Sequence, residues 1–329
     1  MTAKVALRHV TKIYPPAPDA PAGGRAAALD DVSLDVADGE ICVLMGLSGC
    51  GKSTLLRLMN GLVPSTSGEV VVDGHDLATL SERKLQYLRR GTMAMVFQSF
   101  ALFPHRSVID NAAFGLEIAG VPKAERHRHA AAVLEQVGLA GNANQFPHQL
   151  SGGMRQRVGL ARALAVDPSL LLMDEAFSAL DPLTRRGMQD LLLDLQEQKR
   201  RTIVFVSHDV DEALHLGDSI ALLHEGRLLQ HGTPRDLMVR PATDHVRAFF
   251  RGVDPARHLR AADLIDPVAG SFAEDAGVAA DTELGELMAR LTQSSVPLTV
   301  RDASGIALGA ITTASALRVL ARTRDGHAG

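Results

Sequence analysis

The run Gly46-Leu47-Ser48-Gly49-Cys50-Gly51-Lys52-Ser53-Thr54 sets glycines, a lysine and two hydroxyls in the spacing G-x-x-x-x-G-K-[ST]. Such a loop suits a polyphosphate. Glycines let backbone N–H groups close around phosphates with no Cβ in the way, and the helix that follows points its positive end at them. Lys52 would reach the β- and γ-phosphates, and the Ser53 hydroxyl would ligate Mg2+. A random chain this long matches the pattern about one time in a hundred. A second group, Asp174-Glu175, closes the apolar run SLLLM. At the carboxyl end of a buried strand, Asp174 would hold Mg2+, directly or through water, and Glu175 would polarise an attacking water as general base. Alone, two acids there read more readily as an ordinary solvated strand end. The third group is Leu150-Ser151-Gly152-Gly153-Met154-Arg155-Gln156-Arg157. Its serine and glycines open a helix, which gives a second anion-binding helix start.

These groups need a scaffold, and the hydropathy pattern supplies one. ICVLM before the loop is uniformly apolar, as a strand buried on both faces requires. After the loop, Leu55, Leu56, Leu58, Met59 and Leu62 form one helical face that Gly61 and Pro64 end. VALRHV and TKIY read as a strand, Pro15–Ala27 as a loop, and Leu29–Gly46 as two strands split at Ala37-Asp38-Gly39-Glu40. GEVVVDG and TMAMVFQ are strands, with the charged helix SERKLQYLRR between them. Helical patterns dominate from Val108 to Leu164. SLLLMDE and TIVFVSH are buried strands flanking the helix QDLLLDLQEQKRR, and DSIALLHEGRLLQHG is a hairpin turning at Glu225-Gly226. The prediction is an α/β fold with parallel buried strands and an inserted helical block.

Composition narrows the classes. The 329 residues are 46% hydrophobic and 22% charged, which excludes disorder and a collagen-like fibre. Two cysteines, Cys42 and Cys50, exclude a disulfide framework and suit a reducing compartment. A net charge of −4 gives no general attraction to nucleic acid. The N-terminus holds no apolar run of signal-peptide length, and no stretch reaches the ~18–20 apolar residues of a spanning helix. Near Arg251 the composition changes. Asp254–Gly329 is Ala-rich and holds 7 Lys/Arg against 10 Asp/Glu, so a second, smaller domain is expected there.

With LSGGMRQR in place, the chain resembles the ATP-binding cassette (ABC) ATPases over roughly residues 4–250, with the motifs in family order. The resemblance implies a RecA-like core with an inserted helical subdomain at about 99–165 and an antiparallel β edge. It gives Tyr14 the place of the aromatic that stacks on adenine, and it makes Gly46–Thr54 the Walker A loop. Gln98 becomes the Q-loop glutamine that senses Mg2+ and the γ-phosphate. Ser151, Gly152 and Gly153, with Gln156, become the signature that meets the ATP of a partner cassette. Asp174 and Glu175 become the Walker B pair, Asp181 the D-loop aspartate, and His208 the switch histidine. The implied cofactors are ATP and Mg2+. The implied partners are a second copy paired head to tail, permease subunits and, indirectly, a solute receptor. The implied place is the inner face of the cell membrane.

A narrower resemblance joins Met95–Val121 and Asp174–Arg185 to the importer branch for glycine betaine, proline betaine, choline and related quaternary amines. The function it implies is the ATPase subunit of such an importer; an importer for another small solute, such as an amino acid, polyamine or sugar, is the alternative. A repair or translation ATPase would carry a long coiled coil between Gln98 and Ser151, or a second cassette, and here only 52 residues separate them. Phe100 and Phe103 are expected to be exposed for docking a membrane subunit. The tail, from AADLIDP through LGELMARL, VPLTVRDASGIALGAIT and SALRVLAR, resembles one cystathionine-β-synthase-type (CBS) module. The expected domains are therefore 1–252, an ABC ATPase, and 253–329, a small α+β domain that is a single or degenerate CBS-like module with a regulatory or dimerisation role.

Overall fold

Along the chain, an antiparallel sheet forms first. β1 (Ala3–Ile13) pairs with β2 (Ala27–Ala37) on one side and with β4 (Ser67–Val72) on the other, and β5 (His75–Asp76) extends it in the order β2-β1-β4-β5. Val32, Leu34 and Val36 alternate with exposed residues on β2, so one face enters the core and the other meets solvent. The computed structural model describes residues 3–15, 27–254, 258–265, 277–294 and 296–317. Most of the loop expected at Pro15–Ala27, parts of the AADLIDP segment and most of SALRVLAR lie outside the described residues.

The second sheet carries the motifs. β3 (Ile41–Met45), β6 (Met93–Phe97), β7 (Leu170–Asp174), β8 (Thr202–Val206), β9 (Ser219–His224) and β10 (Arg227–Gly232) stand in the order β10-β9-β3-β8-β7-β6. The pairs β3–β8, β3–β9, β7–β8 and β6–β7 are parallel, as the apolar runs predicted. Every residue of β3 and β8 is buried, because helices cover both faces of such a sheet. Between β9 and β10, Glu225 (φ +46°) and Gly226 (φ +79°) are both left-handed, which is the geometry of a two-residue hairpin turn.

Helices α1 (Lys52–Met59), α2 (Glu82–Gly91), α7 (Pro182–Gln198) and α8 (Val210–Leu216) link the strands. The inserted helical block holds α3 (Val108–Ala112), α4 (Phe114–Ile118), α5 (Lys123–Gln136) and α6 (Gly152–Leu164). The pattern VIDNAAFGLEIAG suggested one helix. The structure breaks it at Ala113, the cap residue between α3 and α4.

The chain divides into two units, Met1–His231 and Gly232–Gly329. That division falls earlier than the expected boundary at 252, because α9 (Pro234–Val239) and α10 (Asp244–Phe249) belong to the second unit. Within that unit, β11 (Gly277–Ala279) runs parallel to β12 (Leu298–Arg301), with α11 (Leu284–Gln293) between them in sequence, and β13 (Ala307–Ile311) returns antiparallel. The helix and the two later strands match the tail pattern. β11 was missed because a three-residue strand carries no periodicity. No helix among the described residues is long and apolar enough to cross a membrane.

Two turns at the far end of the parallel sheet are pinned by charge. Asp167, at a left-handed φ of +52°, accepts from Lys199 Nζ at 2.5 Å and from Arg201 Nη2 at 3.1 Å. The lysine, followed by the arginine, holds its carboxyl below the usual range. A carboxyl depressed in the folded state stabilises above its unfolded value and loses that contribution as pH falls through the folded one. Asn tolerates the same backbone, so Asp167→Asn isolates the charge. For this exposed pair the melting temperature at pH 7 should fall by about 1–3 °C. The difference from wild type should vanish in melts near pH 2.

Candidate active site

The phosphate-type loop is wedged between β3 and α1. At Gly46 (φ +143°) a Cβ would lie 2.2 Å from the Leu223 carbonyl oxygen, and at Gly51 (φ +104°) 2.5 Å from that of Ala28. Both glycines are demanded by close backbone packing. Gly49 (φ +81°) differs, since a Cβ there would meet nothing within 4 Å. Its missing side chain leaves space on the open side of the loop, where Leu47 and Ser48 are exposed. Cys50 turns its side chain into the core. No side chain caps the start of α1, so nothing from the chain competes there for an anion. Lys52 is only 6% exposed, and its Nζ donates to Gly46 O at 2.7 Å and Leu47 O at 3.0 Å.

Ser53 and Asp174, far apart in sequence, meet. The Ser53 hydroxyl donates to Asp174 Oδ1 at 2.9 Å. Two hard oxygen donors facing each other beside a phosphate-type loop are a donor set that suits Mg2+. Gln98, expected to join them, instead donates from Nε2 to Ser178 Oγ at 3.1 Å, and Ser178 Oγ donates to the Glu175 carbonyl at 2.9 Å. Glu175 itself stands at φ +45°, a conformation that costs a non-glycine residue about 1–3 kcal/mol. Its N–H donates to Val206 O, which pins the turn to the end of β8. The Glu175 carboxylate lies 3.6 Å from Nδ1 of the exposed His208, beyond hydrogen-bond length.

The signature residues form a separate cap. Ser151 Oγ accepts from Met154 N at 3.3 Å at the start of α6. Gly152 opens α6, and a Cβ at Gly153 would lie 2.5 Å from Thr184 Cγ2, so this turn packs against the start of α7. Among the described residues, no hydrogen bond or ion pair joins Ser151, Gly152 or Gly153 to the loop 46–54 of the same chain. Asp181 caps α7 by accepting from Thr184 N at 3.1 Å, and hydrogen bonds from Thr184 hold its carboxyl below the usual range.

Three expectations need correction. Gln156, expected on the open face, is fully buried, because α6 turns it inward; its side-chain amide finds no partner among the described residues. Phe100 and Phe103, expected to be exposed, are half-buried. The Arg155 guanidinium lies over the Phe100 ring at 5.5 Å, and Phe103 packs on Phe114 at 4.5 Å beneath Arg106. Among the large apolar side chains of the same stretch, Phe97 and Ile118 are exposed. Tyr14 remains open to solvent, with Lys12 Nζ 5.1 Å from its ring centre.

Sequence reasoning missed a polar junction next to this site. Arg185 Nη1 donates to Asp209 Oδ2 at 3.3 Å, and its Nη2 donates to the carbonyls of Ser178 and Leu180. The buried Glu212 accepts from Ser207 Oγ at 2.5 Å and from Gln189 Nε2 at 3.1 Å, and burial pushes its carboxyl above the usual range. Nothing in the spacing of these residues distinguishes them from ordinary helix polar positions.

Comparison with known proteins agrees with this geometry. Residues 29–178 match the profile of the ABC transporter family. The glycine betaine/proline betaine transport system ATP-binding protein ProV of Escherichia coli K12 is 55% identical over 241 residues, which is 73% of this chain and 60% of ProV. The chain thus spans about three fifths of that relative's length. The trimethylamine N-oxide transport system ATP-binding protein TmoW of Ruegeria pomeroyi is 46% identical over 92% of this chain and 88% of TmoW. Among solved structures, the dimeric post-hydrolysis state of the ATP-binding cassette MJ0796, bound to ADP and Pi, superposes with a TM-score of 0.63 at 35% identity. That match covers 70% of this chain and 98% of the MJ0796 chain. TmoW, 46% identical over 92% of this chain, together with a loop 46–54 that leaves β3 and an Asp174-Glu175 pair that ends β7, makes this chain a member of the ABC transporter family.

Proposed function

We propose that this chain is the ATP-hydrolysing subunit of an importer for glycine betaine, choline or a related quaternary amine. The observation that carries the catalytic part is the meeting of Ser53 with Asp174 beside a loop whose Gly49 leaves its open side empty. In this reading the backbone N–H groups of 46–54 wrap the phosphates. Lys52 leaves the Gly46 and Leu47 carbonyls to neutralise the β- and γ-phosphates. Ser53 and Asp174 would hold Mg2+, which when bound spreads the charge of the transferring phosphoryl group. Glu175 accepts a proton from the attacking water, and His208 steadies the γ-phosphate. Tyr14 offers its open ring to the adenine.

Among the described residues no hydrogen bond or ion pair joins Ser151, Gly152 or Gly153 to their own loop, which supports a head-to-tail pair in which they close over the partner's nucleotide. The dimeric MJ0796 cassette supports the same reading. Permease subunits at the inner face of the cell membrane would receive the motion. The strand–helix–strand–strand order within 277–311 supports taking the small unit as a single CBS-like module with a regulatory or packing role. For the substrate, ProV supports glycine betaine or proline betaine. TmoW, whose match reaches into the tail, favours trimethylamine N-oxide as a second reading.

Gly49→Ala should fold with a stability loss of about 1 kcal/mol but bind ATP at least about tenfold more weakly, because the new methyl fills the cradle. Nucleotide titration and a thermal melt check this, and unchanged ATP affinity would refute the cradle. Glu175→Gln should keep ATP binding while turnover falls by about 100-fold or more. Wild-type-like hydrolysis in that variant would remove Glu175 as the base. Deleting the chain should abolish cellular uptake of labelled glycine betaine, choline or proline betaine. Loss of trimethylamine N-oxide uptake alone would select the second reading, and loss of none of the four would overturn both.

A further inference from the structure

The distance between Glu175 and His208 is 3.6 Å, so no hydrogen bond between them fixes it. Something else must set where the histidine stands. Glu175 is tied from one side by Val206 O and Ser178 Oγ. His208 lies between Ser207 and Asp209, and both neighbours are held. Ser207 Oγ donates to Glu212, and Asp209 N donates to Ser207 Oγ at 3.0 Å. Asp209 Oδ1 caps α8 by accepting from Glu212 N at 3.2 Å, which leaves Oδ2 for another element.

That other element is α7. Arg185 Nη1 donates to Asp209 Oδ2 at 3.3 Å. Its Nη2 donates at 3.3 Å to Ser178 O and at 3.1 Å to Leu180 O, the turn that follows Glu175. One planar cation therefore touches the turn carrying the base and the loop carrying the switch histidine. A guanidinium does this where an ammonium cannot, since its donors leave in fixed, diverging directions. One helical turn further on, Gln189 donates to Glu212, so α7 holds the switch side at two points on a single face. On the other side of the same turn, Ser178 Oγ receives Gln98.

We propose that Arg185 is a positioning residue for ATP hydrolysis: by joining the turn after Glu175 to Asp209, it sets where His208 stands against the general base. The proposal rests on the ATPase reading above. It gives the junction a role in rate that a mere tertiary staple between α7 and α8 would not have. Truncating the arginine leaves both loops formed but lets them drift apart, and near-attack geometry is lost while nucleotide binding, made elsewhere, is kept.

The test is Mg·ATP hydrolysis by the purified full chain, with melts recorded in parallel. Wild-type hydrolysis is established first, and its absence would count against the ATPase reading rather than this one. Arg185→Met and Asp209→Asn, which keeps an α8 cap, should each lower kcat at least tenfold. The half-saturating ATP concentration should shift less than threefold. The double variant should fall no more than twofold below the worse single, because both act through one contact. Arg185→Lys should recover part of the rate by reaching Asp209 alone. If Arg185→Met does not fold, Asp209→Asn carries the test. A kcat within twofold of wild type in the folded variants, a rate loss explained by weaker ATP binding, or losses that multiply in the double variant would overturn the proposal.

Discussion

The site depends on one constraint, the parallel register of β3, β8 and β7. Leu44 stands opposite Val206, and Val206 stands opposite Asp174. Three buried strands with no polar side chain at their centres therefore end at one level, and the loops after them emerge side by side. Without that register Ser53, which follows β3, would not reach Asp174 at the end of β7. Burial on both faces enforces it, because a parallel strand slipped by one residue would turn its side chains to the opposite faces and break its packing.

The loops inherit their shapes from that fixed edge. Gly46 and Gly51 pass so close to the carbonyls of Leu223 and Ala28 that only a hydrogen can face them. Glu175 is held left-handed because its N–H is taken by Val206, and the cost of that backbone is carried by the hydrogen bonds around it. Rigidity here comes from backbone packing and backbone hydrogen bonds more than from side-chain ion pairs.

Much of this was legible in the sequence, for physical reasons that differ by residue. The loop 46–54 stood out because a polyphosphate cradle would require glycine, lysine and serine at this fixed spacing. The strands β3, β7 and β8 could be read because burial on both faces leaves an uninterrupted apolar run. Gln156 was misplaced because a polar residue in a helix gives no sign of which face it occupies, and α6 has apolar neighbours on several sides. Phe100 and Phe103 were misjudged because tertiary neighbours set how far a loop aromatic is buried: Arg155 lies over the Phe100 ring, and Phe103 packs on Phe114 beneath Arg106. Arg185, Asp209 and Glu212 were invisible because their partners are set by tertiary contact between α7 and α8, which no periodicity encodes.

If the loop holds ATP as proposed, Lys52 changes how that affinity should be understood. Its ammonium rests on two carbonyls of its own loop, nearly out of water, and so already has partners before any phosphate arrives. Binding is then an exchange of partners, and the attraction between lysine and phosphate is offset by the contacts given up. The same exchange favours departure, since an outgoing nucleotide is replaced at once by carbonyls a short swing away. On that proposed reading, a loop that closes on its own cation would be suited to turning over repeatedly and poorly suited to retaining what it has cleaved.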